Sequence, residues 1–407
     1  MTKPSSEPIV YIVTPFENRM AKRGTRLPVL ADMLADRGFQ VEYLTTNFSH
    51  AYKRHFTEEE IATEQAKLKY RMTVFSVPGY RSNISVRRII CNLLMAWQIC
   101  LHLTRKLRRD SVIVVPSRPV ELVFCIAIVR RLRACRAVLD IRDIWPDALM
   151  IRSAPKKAVF SAYCNIHLHP SLARYDRYVH ISPSFVDWLH RYAPAKDSIF
   201  LPPGFDAWRW EGLTKKDYTA FPQPLRIVCV GLLQHQIDVM PVLEALVTRP
   251  DVTLTIVGDP GEGQRYPKVK AFIEEHRMAN VELIGAVPPE RMRDYLADKH
   301  IGLVPMISDS IPNKVFDYIG AFLPILALGD FDTADFVEDQ GIGWRAGFDG
   351  ESVGKLLDAL SVSDLREKSH RVAEIRDSWN RETLFEKFID IITSLLPEGA
   401  RTRKVKS

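Results

Sequence analysis

Little in this chain suits an oxidising compartment, a zinc cluster or a membrane crossing. The six cysteines (91, 100, 125, 135, 164 and 229) are scattered, and no two form a C-x-x-C. Neither a disulfide framework nor a thiolate zinc site is therefore expected. Residues Met1 to Glu7 are polar and lack an apolar signal core, which makes a reduced, cytoplasmic setting the default. Long apolar runs are also missing. The longest uncharged one, Ile89 to Leu103, has 15 residues, whereas a spanning helix needs about 20. The glycine pattern of a dinucleotide site is absent too. After the first strand-like run the segment TPFENRMAKRGTR holds one glycine, Gly24. The later stretch Gly258-Asp259-Pro260-Gly261-Glu262-Gly263 has the wrong spacing, and Pro260 obstructs a helix start. A nicotinamide oxidoreductase is thereby disfavoured.

What is present is material for two cores. Apolar residues make up 46% of the 407 and charged residues 26%, with no long low-complexity tract, which argues against disorder. At roughly 150 residues per domain, two or three domains are expected. Lys and Arg number 56 against 49 acids, a net +7. That excess is modest, and nucleic acid is not an expected partner. Its distribution is uneven. Between Arg81 and Arg109 stand seven basic residues and no acid, enclosing the apolar run. Two readings compete: a buried helix with solvated basic ends, or a helix lying on an anionic leaflet with Trp97 at the headgroups.

The order of elements is an α/β alternation. Strands are predicted at 8–13, 41–45, 111–116, 137–141, 178–182 and 198–201, with helices at 26–37 and 120–133. A Pro-, Gly- and aromatic-rich stretch, 204–224, reads as a linker. A second series follows. Its strands are expected at 227–230, 252–257, 281–284, 302–305 and 325–328, and its helices at 241–246, 289–298, 313–322 and 381–396. The implied organisation is an N-terminal domain 1–203, the linker, a C-terminal domain 225–375, a closing helix 376–398 and a basic tail 399–407. Two doubly wound, Rossmann-like halves follow, with ligands expected beyond the carboxyl ends of the strands and in the cleft the halves face.

The window Gly302 to Leu328, GLVPMISDSIPNKVFDYIGAFLPILAL, carries the most chemistry. A buried strand leads to a polar loop, and a helix opens near Pro312. Free amides and the positive end of the helix dipole suit a phosphate there. Asn313 adds a donor and Lys314 a cation, while Asp309 and Asp317 are carboxylates eight positions apart. The arrangement fits a sugar, a diphosphate and a ribose laid end to end. The plain alternative is an ordinary i,i+3 pair between Lys314 and Asp317. His167 and His169 suit one face of a strand, but acidic ligands nearby are few and no metal is expected there.

This window resembles the nucleotide-sugar motif of retaining glycosyltransferases of family 4, which have the GT-B architecture. The variant P-x-K-x-x-E-Y-x-x-x-G-x-P of the lipopolysaccharide, capsule and exopolysaccharide branch stands here as Pro312, Lys314, Asp317, Tyr318 and Pro324, with aspartates for the usual glutamates and Phe322 where glycine is common. VLDIRDIWPDAL, LPPGFD, VGLLQHQI, LTIVGD and VELIGAVP are similar to further blocks of that family, in order, from about residue 8 to 395. The resemblance implies a nucleoside diphosphate sugar held by Gly231, Gln234, Gly258, Asp259, Val287, Asn313, Lys314 and Asp317. Asp309 would hold sugar hydroxyls, Asp317 the ribose, and Lys314 the departing diphosphate, with no metal and no other cofactor. Acceptor contacts are expected from Arg23, Gly24, Arg26 and Arg142, with Asp143 an acid, base or orienting group or, alternatively, a helix N-cap.

The implied enzyme is a hexosyl- or N-acetylhexosaminyltransferase, cytoplasmic and peripheral to the inner face of the membrane. It would extend a polyprenyl-diphosphate-linked glycan. A nucleotide-sugar 2-epimerase of the same build, or a degenerate non-catalytic subunit, are the alternatives.

Overall fold

The computed structural model describes residues 7–21, 26–82, 85–149, 151, 153–231, 236–258 and 265–401. They fall into two units: Met1–Ile181, Phe185–Leu201 and Phe385–Ser407 form one, and Ser182–Ser184 with Pro202–Leu384 the other.

Among the described residues the main sheet of the first unit has seven strands: β1 (Ile9–Val13), β2 (Gln40–Thr46), β3 (Arg71–Phe75), β4 (Val112–Pro116), β5 (Arg136–Ile141), β6 (Arg177–His180) and β7 (Ile199–Phe200). Every pairing is parallel, in the order β3-β2-β1-β4-β5-β6-β7. β4 reads VIVVP and is buried throughout, as a strand covered on both faces must be. Helix α1 (Arg26–Asp36) follows β1 and buries Leu27, Leu30, Ala31 and Leu34, the one-face spacing expected of it. Helices α2 (Val86–Lys106), α3 (Val120–Leu132) and α4 (Ala154–Leu168) supply the later crossovers. The chain order reverses between β1 and β4, the switch point at which such sheets bind ligands.

Helix α2 has two different faces. Cys91, Met95, Ala96, Ile99 and Leu103 are buried in the core. The opposite face leaves Val86, Ile90, Leu93, Leu94 and Trp97 in solvent, Trp97 at 60% exposure. Among the described residues no helix is long and apolar enough to cross a membrane.

The second unit repeats the plan with β8 (Leu225–Val230), β9 (Val252–Val257), β10 (Val281–Ile284), β11 (Ile301–Val304), β12 (Ile325–Leu328) and β13 (Gly343–Ala346). The strands are again all parallel, in the order β10-β9-β8-β11-β12-β13, with the switch between β8 and β11. Helix α5 (Asn313–Gly320) leaves the end of β11. Helix α6 (Arg381–Ser394) starts in the second unit, and from Phe385 onward it belongs to the first.

Several elements differ from expectation. Residues 204–224 lie within the second unit, and Phe205, Trp210 and Tyr218 are buried there, so their aromatics fill a core rather than decorate a linker. The helix expected at 289–298 is a 3-10 turn, Pro289–Arg291, followed by five α-helical residues, Met292–Leu296. Strands β3 and β13 were not anticipated, since RMTVF opens on a charge and the four-residue GWRA carries one inside it.

Tyr318 of α5 ties the second sheet together at its switch point. Its hydroxyl accepts from the Val230 N–H at 2.9 Å and lies 3.1 Å from the carbonyls of both Val228 and Leu303. Its ring lies against Gly302, where an added Cβ would stand 2.4 Å from ring carbons. Gly302→Ala is therefore expected to destabilise the protein by about 1–3 kcal/mol through overpacking. Chemical denaturation measures this, and a wild-type midpoint would contradict it.

Candidate functional site

The site candidates of the second unit gather at the carboxyl ends of β8, β9 and β11. Gly231 follows β8 with φ +116°, and Gly258 follows β9. The two backbones nearly touch, since a Cβ on Gly258 would lie 2.1 Å from the Gly231 carbonyl oxygen. Only glycine permits that approach. Lys314, in the first turn of α5, lies over Gly231, with Nζ 3.4 Å from where a Cβ there would stand.

Lys314 is 6% exposed, and its Nζ has no hydrogen-bond partner among the described residues. Burial lowers the pKa of the ammonium, and Cys229 and Asp317 only partly oppose this. An unpartnered buried cation is costly. No side chain caps the helix at Pro312, whose carbonyl accepts from the Val315 N–H at 3.1 Å; the amides of Asn313 and Lys314 stand ahead of that bond, beside the cation. The alternative reading, an i,i+3 ion pair between Lys314 and Asp317, does not form among the described residues. Asp317 instead pairs with Arg209, Nη1 to Oδ1 at 3.2 Å.

Arg209 is the residue that sequence reasoning missed, because it lies in the stretch read as a linker. It also donates from Nη2 to the Pro289 carbonyl at 3.5 Å. It thus ties Asp317 to the loop after β10 that carries Val287, a partly buried residue. Burial raises the Asp317 pKa, and Arg209 and Arg381 oppose the rise. Asp309 is exposed on the loop before α5, and its pKa is raised by partial burial and then by the Asp332 charge. That loop is anchored by the Ile311 N–H on Ser182 Oγ (2.9 Å) and by Thr333 Oγ1 on the Ser310 carbonyl (2.6 Å). Asn313 is exposed at the helix start. Gln234 and Asp259 lie outside the described residues.

The substitution at the glycine position of the motif also has a physical reading. Phe322 takes φ +60°, the left-handed conformation that glycine adopts freely. Its ring lies 4.4 Å from the Arg376 guanidinium carbon, a cation–π contact that offsets part of the strain.

In the first unit the predicted acceptor arginines are held by carboxylates. Arg26 pairs with the fully buried Asp140 at 3.1 Å, and its guanidinium lies over the rings of Phe385 and Phe388. Arg142 pairs with Glu17, whose other oxygen accepts from the Leu27 N–H at the start of α1. Both arginines therefore act as internal ties. Asp143 is not a helix N-cap. It pairs with Arg118 at 2.5 Å, and its backbone is held by Ser117 Oγ. Arg23 and Gly24 lie outside the described residues. His167 and His169 sit at the end of a helix rather than on a strand, against Tyr163 and Tyr192.

Residues 224–361 match the family model described as Glycosyl transferases group 1. That segment contains Gly231, Gly258, Asp309, Lys314 and Asp317. Over 351 residues, 80% of this chain and 85% of the relative, the chain is 22% identical to "Probable glycosyltransferase WbjE" of Pseudomonas aeruginosa. Among solved structures it is similar to Anabaena Alr3699/HepE in complex with UDP (TM-score 0.67, 11% identity, 95% of this chain and 100% of that one). It is also similar to WaaG, a glycosyltransferase involved in lipopolysaccharide biosynthesis (TM-score 0.62, 16% identity, 95% and 99%). The fold is GT-B.

The buried ammonium has a measurable signature. Because its folded-state pKa is lowered, the unfolded chain binds more protons between that value and the usual 10.5. Stability should therefore rise with pH across that window. Lys314→Met removes the cost and is expected to raise stability by about 1–4 kcal/mol at neutral pH. The advantage should shrink as pH climbs toward 10.5. Melting curves across pH test this, and a less stable variant would refute the unpartnered state.

Proposed function

We propose that this protein is a retaining, metal-independent glycosyltransferase that moves a hexosyl or N-acetylhexosaminyl group from a nucleoside diphosphate sugar to a lipid-diphosphate-linked glycan of a surface polysaccharide. The observation that carries the reading is Lys314, a buried cation with no hydrogen-bond partner among the described residues, beside a helix start that no side chain caps, at a sheet switch point. Such a site lacks an anion, and a diphosphate supplies one. In the transfer the bond between the anomeric carbon and the diphosphate oxygen breaks, a bond to an acceptor hydroxyl oxygen forms, and the hydroxyl proton passes to the departing diphosphate. Negative charge grows on the departing diphosphate. Lys314 and the first amides of α5 neutralise it where it develops. Asp317, oriented by Arg209, accepts from ribose hydroxyls. Asp309, on its anchored loop, receives those of the sugar, and Asp143, fixed by Arg118, orients the acceptor side.

The match to the group 1 model supports the activity class, and the UDP complex of HepE supports the donor class. The part played by WaaG supports a role in surface polysaccharide. With wild type, hydrolysis of one member of a nucleotide-sugar panel is expected. Lys314→Met should lower its kcat by about 10²–10³-fold, the usual loss when one transition-state donor is removed. Unchanged hydrolysis by the variant would overturn the diphosphate grip.

The exposed stripe of α2 supports work at the inner face of an anionic membrane. Val86, Ile90, Leu93 and Trp97 fall on one helical face, with Arg105, Lys106, Arg108 and Arg109 at its end. The protein should sediment with phosphatidylglycerol vesicles more than with neutral ones, and salt and Trp97→Ser should each weaken this. Equal partition onto both vesicle types would exclude the charge contribution.

A further inference from the structure

The edge of the first sheet where its strands begin, opposite the switch point, holds a basic cleft of about 490 Å³. Arg130 and Arg131 lie in the last turn of α3, and Arg174 ends a 3-10 turn, Leu172–Arg174. Arg177 opens β6, and Lys196 stands just before β7. Parallel strands all begin at one edge, so the helix returning from β4 and the starts of β6 and β7 deliver these cations together. Tyr175, buried among them, ties the turn to the helix: its hydroxyl donates to the Val123 carbonyl at 2.7 Å.

Five cations line this cleft against one carboxylate, Asp176. That carboxylate is already engaged. Its Oδ1 pairs with Arg130 at 2.7 Å and with Arg136 at 3.2 Å, and its Oδ2 accepts from the Ala137 N–H at 2.8 Å. Arg174, Arg177 and Lys196 donate to the carbonyls of Pro170 (2.8 Å), Asp176 (2.9 Å) and Tyr175 (3.5 Å). Those bonds hold the side chains in place and leave their charge uncancelled. Among the described residues Arg131, Arg174, Arg177 and Lys196 form no ion pair, and the exposed Asp197 pairs with none of them. The buried Nε of Arg130 also has no hydrogen-bond partner there. Cations in the last turn of a helix complement its dipole, which accounts for Arg130 and Arg131 and leaves the other three unexplained. Guanidinium groups around one hollow suit phosphate oxygens, and the volume falls within the roughly 300–1,000 Å³ of small-molecule sites.

We propose that this cleft is a binding site for a phosphate ester, separate from the Lys314 site of the other unit and independent of the transferase reading. Two features of α3 bear on the rest of the ligand. Ile128 and Leu132, one turn apart and next to Arg131 on the helix, are 37% and 65% exposed. Arg133 donates to the Thr104 carbonyl, which brings the basic last turn of α2, Arg105 and Lys106, alongside the same end of α3. A phospholipid would set its head on the cations and its chains on the two apolar side chains. A free phosphate ester would use the cations alone.

The test is calorimetric, on the full chain. Dihexanoylphosphatidylglycerol, kept below its micelle concentration, and glycerol 3-phosphate are titrated separately into wild type, Arg131→Gln, Arg177→Gln and the double variant. Both substituted residues are exposed, so the fold should tolerate the changes, and melting curves check that it does. At least one compound should bind wild type, weaken about tenfold in each single variant and further in the double. Glycerol 3-phosphate binding as tightly as the lipid would assign the cleft to a free phosphate ester; weaker binding would assign it to a lipid headgroup. Repeating the series with Lys314→Met added separates the two units. The signal should persist there, and its loss would move the anion to Lys314 and overturn the cleft. Lipid binding lost in Trp97→Ser but kept in the double variant would place the lipid on α2 and equally overturn it. If neither compound binds wild type, or the double variant binds both as wild type does, the cleft is not an anion site.

Discussion

The account depends on a lysine ammonium held out of water with no hydrogen-bonded anion among the described residues. Lys314 is buried, lies over a glycine that leaves room for it and does not use its neighbouring carboxylate, because Arg209 takes that carboxylate. Folding alone gives no reason to place a charge there, since a buried apolar side chain of similar size would be more stable. The cost makes sense when the missing anion arrives with a substrate. Strain of this kind at a binding site, offset elsewhere in the fold, is how proteins trade stability for function.

Much of this was legible in the sequence because parallel sheets announce themselves. Runs such as SVIVVP and LTIVGD are apolar on both faces and end in small residues, so the strands and their carboxyl ends followed from pattern alone. In the 302–328 window Lys314 stands in the first turn of α5 and Asp317 one turn into it. Their partners were not legible. The Arg209–Asp317 pair joins positions 108 apart, from a segment whose Pro and Gly content mimics a linker while Trp210 packs against Gly320 in the core. Composition reports local flexibility, and burial depends on the rest of the fold.

The same limit explains the acceptor side. Arg26 and Arg142 flank strand ends, as ligand-binding arginines do, but two buried carboxylates, Glu17 and Asp140, claim them. Arg131, Arg174, Arg177 and Lys196 belong to no motif, and only the common starting edge of the parallel strands brings them together. The two units thus carry different chemistry. The second offers one desolvated cation with backbone amides, and the first a cleft of several cations at the edge away from its switch point.

The most direct measurement is a titration of the Lys314 side chain itself, by NMR of lysine labelled at the ε-carbon, with and without the nucleoside diphosphate. The account predicts a pKa below 10.5 in the free protein and a clear upward shift when the diphosphate binds, because the anion supplies the partner that the fold withholds. A value near 10.5 in the free protein, or one that does not move on binding, would contradict it.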